Sequence, residues 1–197
     1  MRIIGMSVLA LACGWANFAH AGTKVVVKTE TYAVTGRNGA EIMKSMNQNG
    51  PRQGLQARAM AATRYDVKWN MDWSKSGGSC RLKSADATLY ITYRFPRLAG
   101  KVSPDLQQRW KKFFAGVRVH EEQHGRIAKD MVNAAQAAVA SAANANDPGC
   151  ARTQAQVRQR VQQVYANYEG RQRQFDAREH HFGGNVEKLV SGLMAQN

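Results

Sequence analysis

Ser-Pro-Asp-Leu-Gln-Gln-Arg-Trp-Lys-Lys-Phe-Phe-Ala-Gly-Val-Arg-Val-His-Glu-Glu-Gln-His-Gly-Arg-Ile-Ala-Lys-Asp-Met, residues 103–131, is the stretch that sets the architecture. Ser103 followed by Pro104 reads as a helix start, with serine at the cap and proline at the first helical position. Beyond it Trp110, Phe113, Val117, His120, His124, Ile127 and Met131 recur every three or four residues, which aligns them as one stripe. Only Gly116 and Gly125 weaken the helix before Asp147-Pro148-Gly149, so a long helix is expected to reach that loop.

On the C-terminal side of the loop, Val157, Val161, Val164, Tyr168 and Phe175 form a second helical stripe, stopped at Gly183-Gly184. Asn185 to Ala195 is a last short helix. Towards the N-terminus the periodicity changes. Residues 23–35 are rich in β-branched side chains, and Gly36-Arg37-Asn38-Gly39 turns the chain into a short helix over Ala40 to Asn47. From 63 to 73 the alternation of Tyr65, Val67, Trp69, Met71 and Trp73 with polar residues marks a half-buried strand. Cys80 to Phe95 reads as one or two more strands. The expected class is α+β: a small antiparallel sheet with a short helix, then a long α-helical hairpin. Residues 22–100 are mainly β and 103–197 helical, within a single domain.

The first 21 residues read as an export signal. Arg2 is the positive end, Ile3 to Ala12 the apolar stretch, and Ala19-His20-Ala21 the small-x-small cleavage pattern. The apolar run is shorter than the ~20 residues that span a bilayer, and no later segment reads as transmembrane. An exported, periplasmic or secreted chain is expected. Removing the leader takes Cys13 and leaves Cys80 and Cys150, which are expected to pair in an oxidising compartment. The net charge of +14 points to anionic envelope components as partners, whereas no basic-aromatic motif of a nucleic-acid reader is present.

The chemistry-bearing residues lie on the long helix. His120-Glu121-Glu122-Gln123-His124 has the H-E-x-x-H form, in which two imidazoles one turn apart converge on one metal ion. The intervening Glu121 is placed to act as general base on a water activated by Zn2+. Outside the leader the only other histidines are His180 and His181. With Gly149 at the middle of the turn, Glu122 lies level with about residue 176 on the antiparallel partner. Either histidine of the pair is therefore within reach as a third ligand, and Asp176 is a carboxylate that could orient an imidazole.

These residues resemble a bacterial family described as predicted secreted zinc-dependent proteases (domain of unknown function 922). The resemblance runs through Tyr32 and Gly36, Asn49-Gly50-Pro51, the Tyr65–Trp73 strand, Cys80, the H-E-x-x-H motif and a late element at Phe175-Asp176. The family's late element runs Tyr-Asp-x-x-Thr-x-His-Gly, which sets His181 on the family histidine, while Phe175, Glu179 and Phe182 depart from the pattern. The resemblance implies zinc held by His120, His124 and His181, with Glu121 catalytic and a peptide or protein as substrate. The alternatives are a non-catalytic zinc-containing envelope binding protein and a hydrolase of cell-wall peptide or amide bonds.

Overall fold

A computed structural model of the protein describes residues 23–53 and 57–195; the expected export signal lies outside the described residues. The elements run β1 (Lys24–Val34), α1 (Gly39–Asn49), β2 (Arg52–Gln53), β3 (Ala57–Arg58), β4 (Ala62–Ser76) and β5 (Ser79–Leu98). They continue with α2 (Pro104–Val139), β6 (Ala143–Asn144), α3 (Ala151–His180) and α4 (Asn185–Met194). The class is mixed α+β, with a four-stranded sheet and four helices.

The sheet is not the purely antiparallel one expected. β4 pairs antiparallel to β5, but β1 runs parallel to β5 over Lys24↔Thr88 to Val34↔Leu98. The reason lies in the connection: α1 and the β2–β3 ribbon intervene after β1, giving the long crossover that parallel strands require. Gly77 and Gly78, with φ of 58° and 76°, make the two-residue turn that joins β4 to β5, a conformation that favours glycine. β5 is a single strand of 20 residues and lies in the middle of the β1-β5-β4 order, leaving β1 and β4 as edges.

The long helix starts where the Ser-Pro signal put it, with Ser103 capping Leu106 N–H at 3.3 Å. It stops at Val139, earlier than the loop that marks its expected end. No residue breaks it there. Instead the chain leaves the helix to pair β6 with β5 at Cys80↔Asn144 and Arg81↔Ala143. Cys80 is bonded to Cys150, with Cα atoms 5.2 Å apart. Closing a loop across 70 residues contributes about 4 kcal/mol in the chain-entropy account.

One face of α2 lies on the sheet. Leu106, Trp110, Phe113 and Val117 pack with Tyr32, Val34 and Phe95, and Ala128, Met131 and Val132 pack with Leu89 and Ile91. The buried stripe passes through Gly125 and Ala128 instead of Ile127, because a residue without a side chain lets the helix approach Tyr93 and Ile91 closely. Between the two apolar blocks the stripe turns ionisable at His120 and Glu121, which are 8% and 6% exposed. Two such groups inside a core contact need partners. Thr63 on β4 partners Glu121, and α3 brings Asp176 to His120. Contacts pair Arg160 with Ala138 and Gln172 with His124, so α2 and α3 run in opposite directions. The remaining grip of α3 comes from buried Val157 and from half-buried Val161, Val164, Tyr165 and Tyr168, with Trp69 on β4 donating to the Tyr165 hydroxyl at 2.9 Å.

Candidate metal centre

His120 and His124, four residues apart on α2, bring their Nε2 atoms to 3.2 Å of each other. Asp176 on α3 completes a triangle, its Oδ1 lying 2.9 Å from His124 Nε2 and 3.4 Å from His120 Nε2. Ligands bound at ~2.0–2.1 Å to a tetrahedral zinc ion stand roughly 3.3 Å apart. The three donor atoms are therefore spaced as one face of such a tetrahedron.

The far side of the His124 ring fixes which of its nitrogens is available. His124 Nδ1 lies 2.6 Å from Gln172 Oε1, and Gln172 Nε2 donates back to the His124 carbonyl at 3.1 Å. Since an amide oxygen only accepts, Nδ1 carries the proton and Nε2 presents its lone pair to the triangle. His120 Nδ1 is the one buried side-chain nitrogen or oxygen without a hydrogen-bond partner among the described residues. The Glu179 carboxylate stands 3.9 Å from it. Phe175 stacks on His120 at 4.8 Å between ring centroids and meets His124 edge-on at 5.1 Å, shielding the pair.

The electrostatics ask for a cation. Burial works against charge on His124, but the bonds to Asp176 and Gln172 outweigh it and raise its pKa above the ordinary histidine value. Burial likewise opposes ionisation of Asp176, yet His120 and His124 hold its carboxyl well below the usual range. The His124 Nε2 lone pair and the Asp176 carboxylate face one point beside His120 Nε2, and acceptors so placed satisfy one another only with a proton or a metal ion between them. The residues present fit a divalent ion.

Glu121 sits beside this triangle, held from the sheet. The Thr63 hydroxyl on β4 lies 2.6 Å from Glu121 Oε2 and 3.0 Å from its backbone oxygen. The site opens into a cavity of about 930 Å³ bounded by α2, α3 and the start of β4, where Thr63 and Tyr65 form part of the wall.

Of the two late histidines it is His180 that joins the group. Donor atoms of His120, Asp176 and His180 all lie within 4.8 Å of one another, with the His120 and His180 rings 5.3 Å apart. His181, the residue expected as third ligand, is exposed and turned to its neighbour, with Nδ1 2.6 Å from the Phe182 carbonyl oxygen. Helical geometry explains the difference. His180 is four residues from Asp176 and shares its face, whereas His181 is already the capping residue, with φ −68° and ψ 167°. Thr63 and Gln172 carry no motif and were not singled out by sequence. A signal did exist for Gln172, because Gln172, Asp176 and His180 repeat at four-residue spacing on α3, matching the spacing of His120 and His124 on α2.

The family model for the bacterial protein of unknown function (DUF922) matches residues 29–183, and the chain belongs to that family. No curated protein and no solved structure matches the chain.

Proposed function

We propose that this member of the DUF922 family is an exported zinc-dependent hydrolase of peptide bonds. The observation that carries the reading is the triangle of His120 Nε2, His124 Nε2 and Asp176 Oδ1, set beside a buried Glu121 that Thr63 anchors through one oxygen. Three protein ligands leave one tetrahedral position open, the arrangement of a catalytic zinc site. Zinc held there supplies Lewis acidity, lowering the pKa of water towards ~7 and polarising the scissile carbonyl.

The chain's own groups do the rest. Glu121 takes a proton from the attacking water and delivers it to the departing amine as the C–N bond breaks. Thr63 and Gln172 hold the base and a ligand in place, which limits reorganisation during the reaction. β4 is an edge of the sheet and its Thr63 and Tyr65 line the cavity, so an extended peptide can add to its free edge. The Cys80–Cys150 disulfide supports an oxidising, periplasmic or secreted location.

A second reading rests on His180. As a fourth donor it would close the coordination shell and make a structural clip of the H-E-x-x-H helix and its hairpin partner. Metal content and peptide cleavage separate the two. After exhaustive dialysis the wild-type chain and Glu121→Gln should each retain about one zinc, and only the wild type should cleave a mixture of unstructured peptides. Zinc retention without cleavage in both would favour the clip. No zinc retained, and none taken up on addition, sinks the hydrolase.

A further inference from the structure

Part of the cavity wall is basic. Arg52 on β2 and Arg58 on β3 stand opposite each other in the ribbon register, and both line the cavity. Arg58 Nη1 donates to the Gly50 carbonyl at 2.7 Å, which steadies one guanidinium at the wall. Arg173, which follows Gln172 on α3, also lines the cavity.

The opposing charge is largely spoken for. Three carboxylates line the same cavity among the described residues: Glu121, Asp176 and Glu169. Glu121 accepts from Thr63, and Asp176 faces two imidazoles. That leaves Glu169, beside Tyr65, to offset the arginines. Among the described residues none of Arg52, Arg58 and Arg173 is within ion-pair distance of a carboxylate. All three positive residues are arginine, whose planar fork matches a carboxylate through two parallel hydrogen bonds.

We infer that this wall selects carboxylate-bearing peptides, so the cavity takes segments with Asp or Glu side chains or a free C-terminal carboxylate. The inference rests on the cavity being the substrate site of the proposed hydrolase. A concave wall of one sign concentrates oppositely charged ligands, an effect that fades as salt is added.

The test uses the full chain carrying Glu121→Gln, so that binding is read without turnover. Three labelled peptides of one sequence are compared by fluorescence anisotropy: one with internal Glu residues, one with Gln in their place, and the Glu peptide amidated at its C-terminus. At low ionic strength the Glu peptide should bind on the order of tenfold more tightly than the Gln peptide. The difference should shrink towards unity near 1 M salt, where the screening length is only ~3 Å. A loss on amidation alone would assign the recognised group to the chain end, and a loss on Glu-to-Gln exchange would assign it to side chains. Arg52→Gln with Arg58→Gln should remove the preference, and Arg173→Gln should weaken it. Arg173 is exposed on α3, so its variant serves where the ribbon fails to fold.

Equal affinity for the Glu and Gln peptides, with no effect of amidation, overturns the inference even where the wild type cleaves both. Binding of inorganic polyphosphate with that same lack of peptide discrimination would assign the wall to a polyanion and overturns it as well. A clear preference in Glu121→Gln alongside a wild type that hydrolyses nothing would retain the acidic-peptide site while refuting the hydrolase.

Discussion

Gly125 directly follows His124 and lies where α2 crosses β5, so replacing it tests how tightly the helix of the proposed centre must seat on the sheet. A Cβ built on Gly125 lands on the Tyr93 hydroxyl, and it also comes 3.1 Å from Tyr93 Cζ and 3.5 Å from Ile91 Cδ1. Two effects of Gly125→Ala oppose each other. Alanine in a helix interior is favoured over glycine by about 1 kcal/mol. Forcing an extra carbon into a packed contact costs about 1–3 kcal/mol. The ring cannot swing aside freely, since it stacks on Phe95 at 5.8 Å with planes 20° apart. Sterics should win, leaving the variant about 1 kcal/mol less stable than wild type. Tyr93→Phe removes the atom that is struck, and among the described residues the Tyr93 hydroxyl makes no hydrogen bond that would be lost. Gly125→Ala should therefore be neutral or slightly stabilising in the Tyr93→Phe background, a coupling of about 1–2 kcal/mol. Urea unfolding of the four metal-free proteins measures it. Zinc affinity should fall in the single variant and recover in the double, because His124 moves with the backbone of Gly125. A coupling within ~0.5 kcal/mol of zero, the range of independent sites, would refute the close-contact argument.

Asp176→Asn should lower zinc affinity by more than the ~10–100-fold typical of losing an outer-shell partner, while His181→Ala leaves it unchanged; competition with a fluorescent chelator reads both. Thr63→Val removes a charge-assisted hydrogen bond of about 1.5–3 kcal/mol, which predicts a 10- to 100-fold lower kcat with KM little changed. Thr63→Ser should restore most of that rate, and a silent Thr63→Val would remove Thr63 from the argument. The pH dependence of stability should reverse sign with metal. In metal-free protein the raised pKa of His124 contributes stability that is complete below the ordinary histidine value and is lost as pH rises through the shifted one. The lowered pKa of Asp176 contributes above the ordinary carboxylate value and fades only as pH falls through the shifted one. Through these two groups the metal-free chain should be more stable at pH 5.5 than at pH 8. Stabilisation by added zinc should grow over the same interval because protons no longer compete for the ligands. Thermal unfolding at the two pH values, with and without zinc, checks the reversal.

How far these features can be read from sequence depends on whether they are local. The H-E-x-x-H helix is legible because its start, stripe and ligand spacing all follow from i, i+3 and i+4 neighbours. The alternation from Tyr65 to Trp73 is legible for the same kind of reason, and the structure keeps those residues half-buried against α3 while their neighbours face out. Features set by distant pairing are not legible. The parallel alignment of β1 with β5 and the exit of α2 at Val139 to form β6 both depend on partners tens of residues away. Thr63 belongs to the same class, since it reaches Glu121 across 58 residues of sequence.

The proposed third ligand lies between these cases. Counting outward from Gly149 puts residue 176 level with the motif, and Asp176 is the residue that meets His120 and His124. The resemblance to the family's late element sets the expected ligand at His181, with His180 as the alternative. The structure turns His181 out to the Phe182 carbonyl and leaves His180 on the Asp176 face. Register along two packed helices picks out Asp176, which residue type alone passes over. A carboxylate is as competent a zinc ligand as an imidazole, and a residue four positions from another on a helix shares its face whatever it is. Gln172, Asp176 and His180 on α3, set against His120 and His124 on α2, are two matched four-residue ladders, and their juxtaposition defines the centre more firmly than the motif alone.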